Sequence, residues 1–149
     1  MMQTLHSLSL SQLLARYRQL PAAEQLIGCW RAEFIGPWWL RGSAGPSIAL
    51  SGMPGWYGKR FSTPEAAVNL LRCSAGLREA LPMACSEQAS WLDGKPCAAL
   101  SYGAATRLPW RWVRDELRQL DEQHCLCLTF VDLPLLRRIG FPFVLVRGR

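Results

Sequence analysis

Side chains that usually perform catalysis are scarce in this sequence. There are two histidines: His6 lies near the start of the chain, and His124 follows an acidic turn, where a solvated imidazole is expected. Asp115 and Glu116 lie among arginines, as on a solvated face, whereas general acid and base catalysis needs two carboxylates in an apolar pocket. The sequence contains no phosphate-binding loop, dinucleotide fingerprint or nucleophile elbow. It therefore predicts no catalytic residue and favours a protein that is not an enzyme.

The candidate metal ligands lack the spacing of known sites. His124, Cys125 and Cys127 form a small group, but the chain has no Cys-x-x-Cys pair, the spacing common at zinc sites. We expect the six cysteines to be reduced thiols, most of them in the core. The N-terminus also lacks the basic and apolar regions of a secretory signal. These features predict a cytoplasmic protein with no metal and no cofactor.

Aromatic side chains are the strongest chemical signal. The chain has 7 tryptophans in 149 residues, and each can bury roughly 150–250 Å². Trp38 and Trp39 are adjacent in a segment rich in Gly and Pro, so they cannot both point comfortably into a core. Such a pair is typical of the mouth of an apolar ligand site or of a membrane interface. The pair also leaves open a protein–protein interaction module.

A second aromatic group lies in a short predicted strand. Strand alternation puts Tyr57, Lys59 and Phe61 on one face and Trp56 and Arg60 on the other, so each face offers an aromatic ring and a cation. If the face with Tyr57 and Lys59 points inward, it could bind a lipid carboxylate or phosphate through charge-assisted hydrogen bonds. Alternatively, the two cations are ordinary residues of an edge strand.

The hydrophobic pattern predicts the elements that must position these side chains in the first half of the chain. Helical spacing over residues 10–20, with Ser9 or Ser11 as N-cap, predicts an amphipathic helix that Pro21 ends. Alternation from Gly28 predicts a strand. We expect a long loop over residues 36–55 and a short strand over 56–61. Thr63-Pro64-Glu65 then predicts a second helix reaching residue 72.

The second half of the chain is richer in predicted strands. One helical turn is expected at residues 77–81 and a strand at 97–102. Over residues 110–120 a helical step competes with a strand at the end of that range. Apolar, β-branched and aromatic runs predict two further strands, at 125–131 and 141–147.

Composition and charge exclude several classes of protein. Half of the residues are apolar and 19% are charged, which excludes a disordered chain. No apolar run approaches the roughly 20 residues of a spanning helix. The formal net charge is +6, but the arginines are mostly scattered rather than clustered, so we predict no nucleic-acid partner. The charge is compatible with anionic partners such as acidic lipid head groups.

Two motifs stand out in the sequence: Gly28-Cys29-Trp30-Arg31, on a strand that follows a helix, and the heptapeptide Gly55–Phe61. Together they resemble the bacterial GXWXG family, in which the first segment is paired with a C-terminal domain of unknown function. Ala32 stands where the motif name has its second glycine. The similarity covers most of residues 10–148, leaving 73–96 unmatched, and its later segments are Ala99–Gly103, Leu108-Pro109, Asp121-Glu122-Gln123 and Phe141–Arg147.

This resemblance implies a mainly β fold: a barrel or half-barrel of the lipocalin or fatty-acid-binding kind, with an N-terminal helix and one or two short helices. We expect a single domain over residues 1–149, in which about 10–72 and about 97–148 are two segments of one barrel. Gly28, Gly58 and Arg147 are expected to be structural. By similarity to lipocalins, Arg147 would close over Trp30, a cation–π contact worth roughly 0.5–2 kcal/mol.

The expected function is binding of a hydrophobic, anionic ligand, such as a fatty acid or phospholipid, in the barrel cavity. The predicted partners are therefore this lipid and, through peripheral contact, a membrane; the oligomeric state is left open. One alternative is an enzyme acting on a small hydrophobic substrate in the same cavity, and another is an interaction module using Trp38 and Trp39. The predicted ligand-binding residues are Trp30, Trp38, Trp39, Trp56, Tyr57, Lys59 and Arg60.

Overall fold

Eight antiparallel strands, joined in sequence order, form a closed barrel in the computed structural model, which describes residues 2–148. The first strand closes the barrel by pairing with the last, for example Trp30 with Arg147 and Ala32 with Leu145. The predicted mainly β barrel is confirmed. The strands are β1 Gly28–Phe34, β2 Trp56–Thr63, β3 Ala66–Cys73, β4 Gly76–Ala89, β5 Pro96–Ser101, β6 Val113–Asp121, β7 His124–Val131 and β8 Phe141–Arg147.

Three short α-helices and two 3₁₀ turns accompany the strands. Helix α1 spans Met2–Ser7, α2 spans Leu10–Arg18 and α3 spans Trp38–Leu50. The 3₁₀ turns are Trp110–Trp112 and Leu136–Arg138. None of the helices within residues 2–148 is both long and apolar enough to cross a membrane.

Helix α2 forms as predicted and covers the outside of the barrel. Ser9 caps it in a reciprocal capping box with Gln12, which satisfies backbone donors that would otherwise lack partners. Leu13 and Tyr17 are fully buried in an apolar cluster with Leu126, Leu128 and other residues on the outer face of β7 and β8. Helix α2 thus buries the apolar outer face of β7 and β8.

Two predicted helices are strands instead. Residues 66–73 form β3 and residues 76–89 form β4, so the helix expected at 63–72 and the helical turn expected at 77–81 are both wrong. In β3, Ala67, Asn69 and Leu71 are all buried and alternate along the strand. Thr63-Pro64-Glu65, which has the composition of a helix start, instead leads through a tight turn from β2 into β3.

The predicted long loop at residues 36–55 contains helix α3. Pro37 precedes its first residue, where a proline ring is compatible with helical geometry. The helix tolerates Pro46 and the four small residues before it because Leu40 and Ile48 pack towards the lumen, and tertiary packing supplies most helix stability. Over residues 110–120, the strand interpretation is confirmed by β6 and the helical one is limited to the 3₁₀ turn.

The connections between strands alternate between two ends of the barrel. We call one the mouth end; its connections are residues 35–55, 74–75, 102–112 and 132–140. The opposite end, the closed end, has residues 19–27, 64–65, 90–95 and 122–123. At the closed end, Ala23 and Leu26 insert into the lumen core beside Trp30. The lumen is therefore filled from the closed end, and any space lies towards the mouth.

Candidate functional site

A cavity of about 360 Å³ lies between helix α3 and the lumen at the mouth end. Its volume falls in the lower part of the roughly 300–1,000 Å³ range of small-molecule sites. Helix α3 forms the roof with Trp39, Leu40 and Ile48. Most of the wall is aromatic or aliphatic: Phe34, Trp56, Trp110, Val113, Val131 and Phe143.

The roof of the cavity is attached to the opposite loop by hydrogen bonds. Trp110 Nε1 donates to the carbonyl oxygen of Ser51 at 2.8 Å, and a guanidinium nitrogen of Arg107 donates to the carbonyl oxygen of Gly52 at 2.8 Å. These bonds satisfy carbonyl groups at the end of α3. They fix the helix over the lumen from one side.

An ion pair between Lys59 and Asp115 forms the polar floor of the cavity. Lys59 Nζ lies 3.0 Å from Asp115 Oδ2, and the two side chains are 2% and 6% exposed. Nζ also donates to Asn69 Oδ1 at 2.9 Å, and Thr129 Oγ1 donates to Asp115 Oδ1 at 2.7 Å. The pair is therefore buried, hydrogen-bonded on both sides and neutral as a unit.

Asn69 and Tyr102 complete this polar floor. Asn69 Oδ1 accepts a second hydrogen bond, from Trp56 Nε1 at 3.0 Å, and Asn69 Nδ2 donates to the Tyr102 hydroxyl oxygen at 2.8 Å. Because the Tyr102 oxygen is occupied as an acceptor, its own hydrogen points elsewhere, and it has no acceptor among residues 2–148. Tyr102 thus offers a free hydrogen-bond donor to the cavity that it lines.

Burial and neighbouring charges set the protonation states of this cluster. Burial tends to lower the pKa of Lys59, but the Asp115 carboxylate and Tyr102 raise it, so the pKa lies above its ordinary value. Lys59 is therefore a cation and not a free amine nucleophile. Burial, the largest influence, raises the pKa of Tyr102. Its hydroxyl is therefore neutral and able to donate.

A register shift in β2 decides which predicted residues enter the cavity. The pairing of β2 with β3 shifts between Trp56 and Gly58, and a bulge of this kind re-aims side chains. Trp56 consequently lines the cavity on the same side as Lys59. Tyr57 is not among the lining residues and lies 5.0 Å from the guanidinium carbon of Arg72. The strict alternation expected from the sequence is therefore wrong at this position.

The other predicted ligand-binding residues have different positions. Trp39 lines the cavity and is half exposed, whereas Trp38 is 78% exposed and does not line it. Arg60 lies outside the cavity, where its side chain contacts Cys29 and lies 3.5 Å from Glu79. Trp30 is fully buried in the lumen core but does not line the cavity. The structure thus brings Trp39, Trp56 and Lys59 to one site.

The arrangement around Trp30 is that expected from the lipocalin similarity. The Arg147 guanidinium carbon lies 4.3 Å from the centre of the Trp30 ring, and Arg147 donates to carbonyl oxygens of Gln25, Ile27 and Glu122. A Cβ on Gly58 would lie 1.9 Å from the Trp30 carbonyl oxygen, so only glycine fits there. These contacts close the barrel end beneath Trp30.

Asn69, Tyr102, Asp115 and Thr129 were not predicted as site residues. The sequence does indicate that Asp115 is buried. It lies two residues from both Val113 and Leu117 in β6, so it shares a strand face with these buried apolar residues. Asn69 similarly shares a face with Ala67 and Leu71 in β3. A polar residue in register with apolar neighbours on a strand indicates a buried polar group, which must then find a partner.

The expectation that Asp115 and Glu116 lie on a solvated face is wrong for both. Glu116 is fully buried on the outside of the barrel wall, beneath α2 and the connection over residues 90–95. It accepts hydrogen bonds from the Tyr17 hydroxyl, Ser90 Oγ, the Trp91 amide and Arg114 Nε. Since all these donors belong to the protein, this cluster attaches the helix and the loop to the barrel.

Four buried thiols, three in the lumen and Cys97 on the outer face of β5, are unreactive by environment. Burial raises the pKa of Cys85 and Cys97 to about 11 and that of Cys125 to about 12. Cys127, which is also buried, has a pKa well above its ordinary value for the same reason. Among residues 2–148 no group of three or more His, Cys, Asp or Glu side chains could hold a metal ion.

Comparisons with known proteins identify the fold. No protein-family model matches the sequence, and the comparison with curated proteins gives no match. Among solved structures, the chain is similar to a crystal structure of a protein from Thermomonospora curvata, with a TM-score of 0.71 and 24% sequence identity. The alignment covers 93% of this chain and 87% of that chain. This similarity shows the barrel fold, and the GXWXG resemblance stays a prediction.

Proposed function

We propose that the protein binds a hydrophobic small molecule with a hydrogen-bonding head group in the barrel lumen. The observation that carries this proposal is the combination of an aromatic cavity of about 360 Å³ with a buried polar floor. Binding sites of this kind fix a ligand's orientation with a few polar groups and gain affinity from apolar walls. Here the aromatic wall receives the apolar part of the ligand, and Tyr102 receives its head.

The charge of the polar floor favours an uncharged head group over an anionic one. Lys59 is the cation of the cavity floor, and Asp115, 3.0 Å away, already compensates it. A buried carboxylate from a fatty acid would therefore enter a neutral site with no free counter-charge, at a large desolvation cost. An alcohol, ketone or ester oxygen needs one donor, which the free Tyr102 hydroxyl hydrogen provides. Anionic fatty acids and phospholipids, predicted from the sequence, are the competing ligand class.

A ligand series with one chain length tests both ligand classes. N-phenyl-1-naphthylamine, a neutral fluorescent probe, should bind the cavity and be displaced by decanol and by a methyl ketone of similar length. Decanoate should be at least about tenfold weaker at pH 7 because its charge is not compensated. Stronger displacement by decanoate would favour the anionic class. If neither the probe nor any of these compounds binds, the proposal of a lumen ligand is wrong.

Matched variants localise the binding to the cavity. Tyr102→Phe removes the free donor and should weaken decanol and ketone binding by roughly three- to tenfold. It should leave decane binding unchanged. Arg60→Met changes a neighbour of Lys59 that lies outside the cavity, and it should leave all affinities unchanged. Equal effects of the two substitutions would contradict the role of Tyr102 as the hydrogen-bond donor to the ligand.

An enzyme acting on a small hydrophobic substrate is a second candidate, and the polar floor favours it specifically. Tyr102 could donate to a carbonyl oxygen while Asp115 accepts a proton from the carbon beside it. The test is exchange of methylene hydrogens of the bound ketone in D₂O, followed by NMR. Exchange that is lost in Lys59→Met/Asp115→Asn, which leaves no unpaired charge in the lumen and should still bind the ketone, would establish catalysis, whereas binding without exchange in the original chain leaves the lumen as a binding site.

A further inference from the structure

Exposed apolar side chains are concentrated at the mouth end of the barrel. Leu50, Leu135 and Trp38 are 90%, 79% and 78% exposed, on α3 and on the connection over residues 132–140. Among the exposed large hydrophobic residues within 2–148, Ile27 is the one that lies at the closed end. The remaining members of this group, at or next to the mouth end, are Trp39, Leu77, Leu108 and Ile139.

One of these side chains is held outward by an unusual backbone. Leu135 has a φ of 72°, in the left-handed region that bulky residues rarely adopt. The strained residue does not bury its side chain, since Leu135 is 79% exposed. Backbone strain of this kind occurs preferentially at functional sites. The tip of this connection therefore carries an exposed leucine.

Charge is distributed unevenly between the two ends. The mouth connections contain one acid, Asp132, and five exposed arginines: Arg41, Arg107, Arg111, Arg137 and Arg138. Of these arginines, Arg137 is the one that forms a salt bridge within the described chain, with Asp132 at 3.4 Å. The closed-end connections carry one cation, Lys95, and four acids: Glu24, Glu65, Asp93 and Glu122. The connections are thus net positive at the mouth end and net negative at the closed end, where Arg118 neutralises Asp93 at 2.7 Å.

We infer that the mouth end docks on an anionic phospholipid bilayer. Tryptophan and leucine insert favourably at the level of the lipid head groups. Arginine guanidinium groups bind lipid phosphates bidentately, and each basic residue adds roughly fivefold to membrane affinity. Helix α3, which roofs the cavity, contains Arg41 and no acid. Docking therefore brings the cavity entrance against the membrane, and this inference goes beyond lumen binding.

The charge pattern distinguishes a bilayer from two other partners. A second copy of this chain, docked mouth to mouth, would bring five arginines of each subunit against each other, and like charges across an interface oppose association. A nucleic acid would attract the arginines but offers no apolar layer for Leu50 and Leu135. An anionic bilayer satisfies both the apolar and the cationic side chains of this surface.

Co-sedimentation with vesicles tests the inference. One set of vesicles contains equal parts of phosphatidylglycerol and phosphatidylcholine, and the other contains phosphatidylcholine alone. We expect binding to the anionic vesicles and at least about tenfold weaker binding to the neutral ones. The double variant Arg41→Gln/Arg138→Gln should bind anionic vesicles roughly 20- to 30-fold more weakly. Trp38→Ser and Leu135→Asn should each weaken binding at least about threefold.

Control variants change the same residue types away from the mouth. Arg16→Gln/Arg18→Gln alters two exposed arginines of α2, and Ile27→Ser alters the exposed apolar residue of the closed end. Both should bind anionic vesicles within twofold of the original chain. Urea unfolding checks that each variant is folded, and N-phenyl-1-naphthylamine binding without vesicles measures the lumen site separately.

Several outcomes would overturn the inference. They are absence of binding to anionic vesicles, equal binding to both kinds of vesicle, and losses in the control variants as large as those in the mouth variants. Self-association strengthened by Arg41→Gln/Arg138→Gln would identify a second copy as the partner instead. Tighter binding to DNA or RNA than to anionic vesicles would identify a nucleic acid.

Discussion

The buried ion pair between Lys59 and Asp115 makes a specific prediction about stability and pH. In Asp115→Asn, Lys59 would stay in the lumen without its carboxylate partner. The side chains are 2% and 6% exposed, so solvent screens this loss very little. Removing one partner of a buried pair costs about 3–5 kcal/mol. For a chain of this length, that lowers Tm by roughly 10 °C.

The sign of the pH dependence follows from Lys59. In the original chain the pKa of Lys59 lies above its ordinary value of 10.5. The ion pair therefore stabilises the fold fully below pH 10.5, and this contribution is lost as the pH rises through the higher pKa of the folded chain. In Asp115→Asn the carboxylate is gone and burial, the largest influence, lowers the pKa below the unfolded value. The unfolded chain then binds more protons, so stability rises with pH by up to about 1.4 kcal/mol per unit.

Urea unfolding, followed by tryptophan fluorescence between about pH 6.5 and 9.5, measures these effects. The double variant Lys59→Met/Asp115→Asn removes both charges and should lose at most about 1–2 kcal/mol, because a buried pair is worth little over neutral residues. The difference in free energy of unfolding between this double variant and the original chain should not depend on pH. Two results would show that an unpaired Lys59 does not destabilise the barrel: a double variant as unstable as Asp115→Asn, or an Asp115→Asn variant whose stability follows that of the original chain across this pH range.

Three substitutions or treatments test other parts of the barrel. Gly58→Ala should lower stability by at least about 3 kcal/mol, because its Cβ would lie 1.9 Å from a carbonyl oxygen of β1; Gly42→Ala, with open space on α3, is the control and should gain up to about 1 kcal/mol in urea unfolding. Arg147→Met should lose about 1–2 kcal/mol and change tryptophan fluorescence; unchanged stability would show that the closure is dispensable. A thiol reagent should label exposed Cys73 in the folded protein and buried Cys127 only after unfolding; equal rates would contradict a closed lumen.

Strands built from apolar, β-branched or aromatic runs were predictable from the sequence even where both faces are buried, as in β7 and β8, but β3 was not. In β1, apolar residues from Trp30 to Phe34 alternate with the charged Arg31 and Glu33, and the apolar ones pack in the lumen core. In β3, Leu70 on one face and Ala67 and Leu71 on the other are all buried, so no polar alternation marks the strand. Pro64 and Glu65 before it also favour a helix start. Local composition therefore predicted a helix where barrel closure produces a strand.

The cavity depends on contacts between residues far apart in sequence. Lys59 was predicted as a ligand-binding residue, but its partners Asn69 and Asp115 lie on β3 and β6 and meet it only because the barrel closes. The bulge that turns Trp56 towards Lys59 is likewise a feature of strand pairing. Alternation within one strand could not predict either arrangement, because both depend on register across the sheet.

Cationic and aromatic side chains occur together both in the lumen and at the mouth end of the barrel. From the sequence alone, both features were attributed to an anionic ligand in the lumen. In the structure, Lys59 is neutralised by Asp115 inside the barrel, while exposed arginines surround the mouth. Salt screens exposed charges but has little effect on a buried neutral pair. Raising NaCl from about 0.05 to 0.5 M should therefore change decanol affinity less than about twofold and weaken binding to anionic vesicles at least about tenfold. Equal salt sensitivity of both reactions would mean that the lumen ligand is held by unpaired charge.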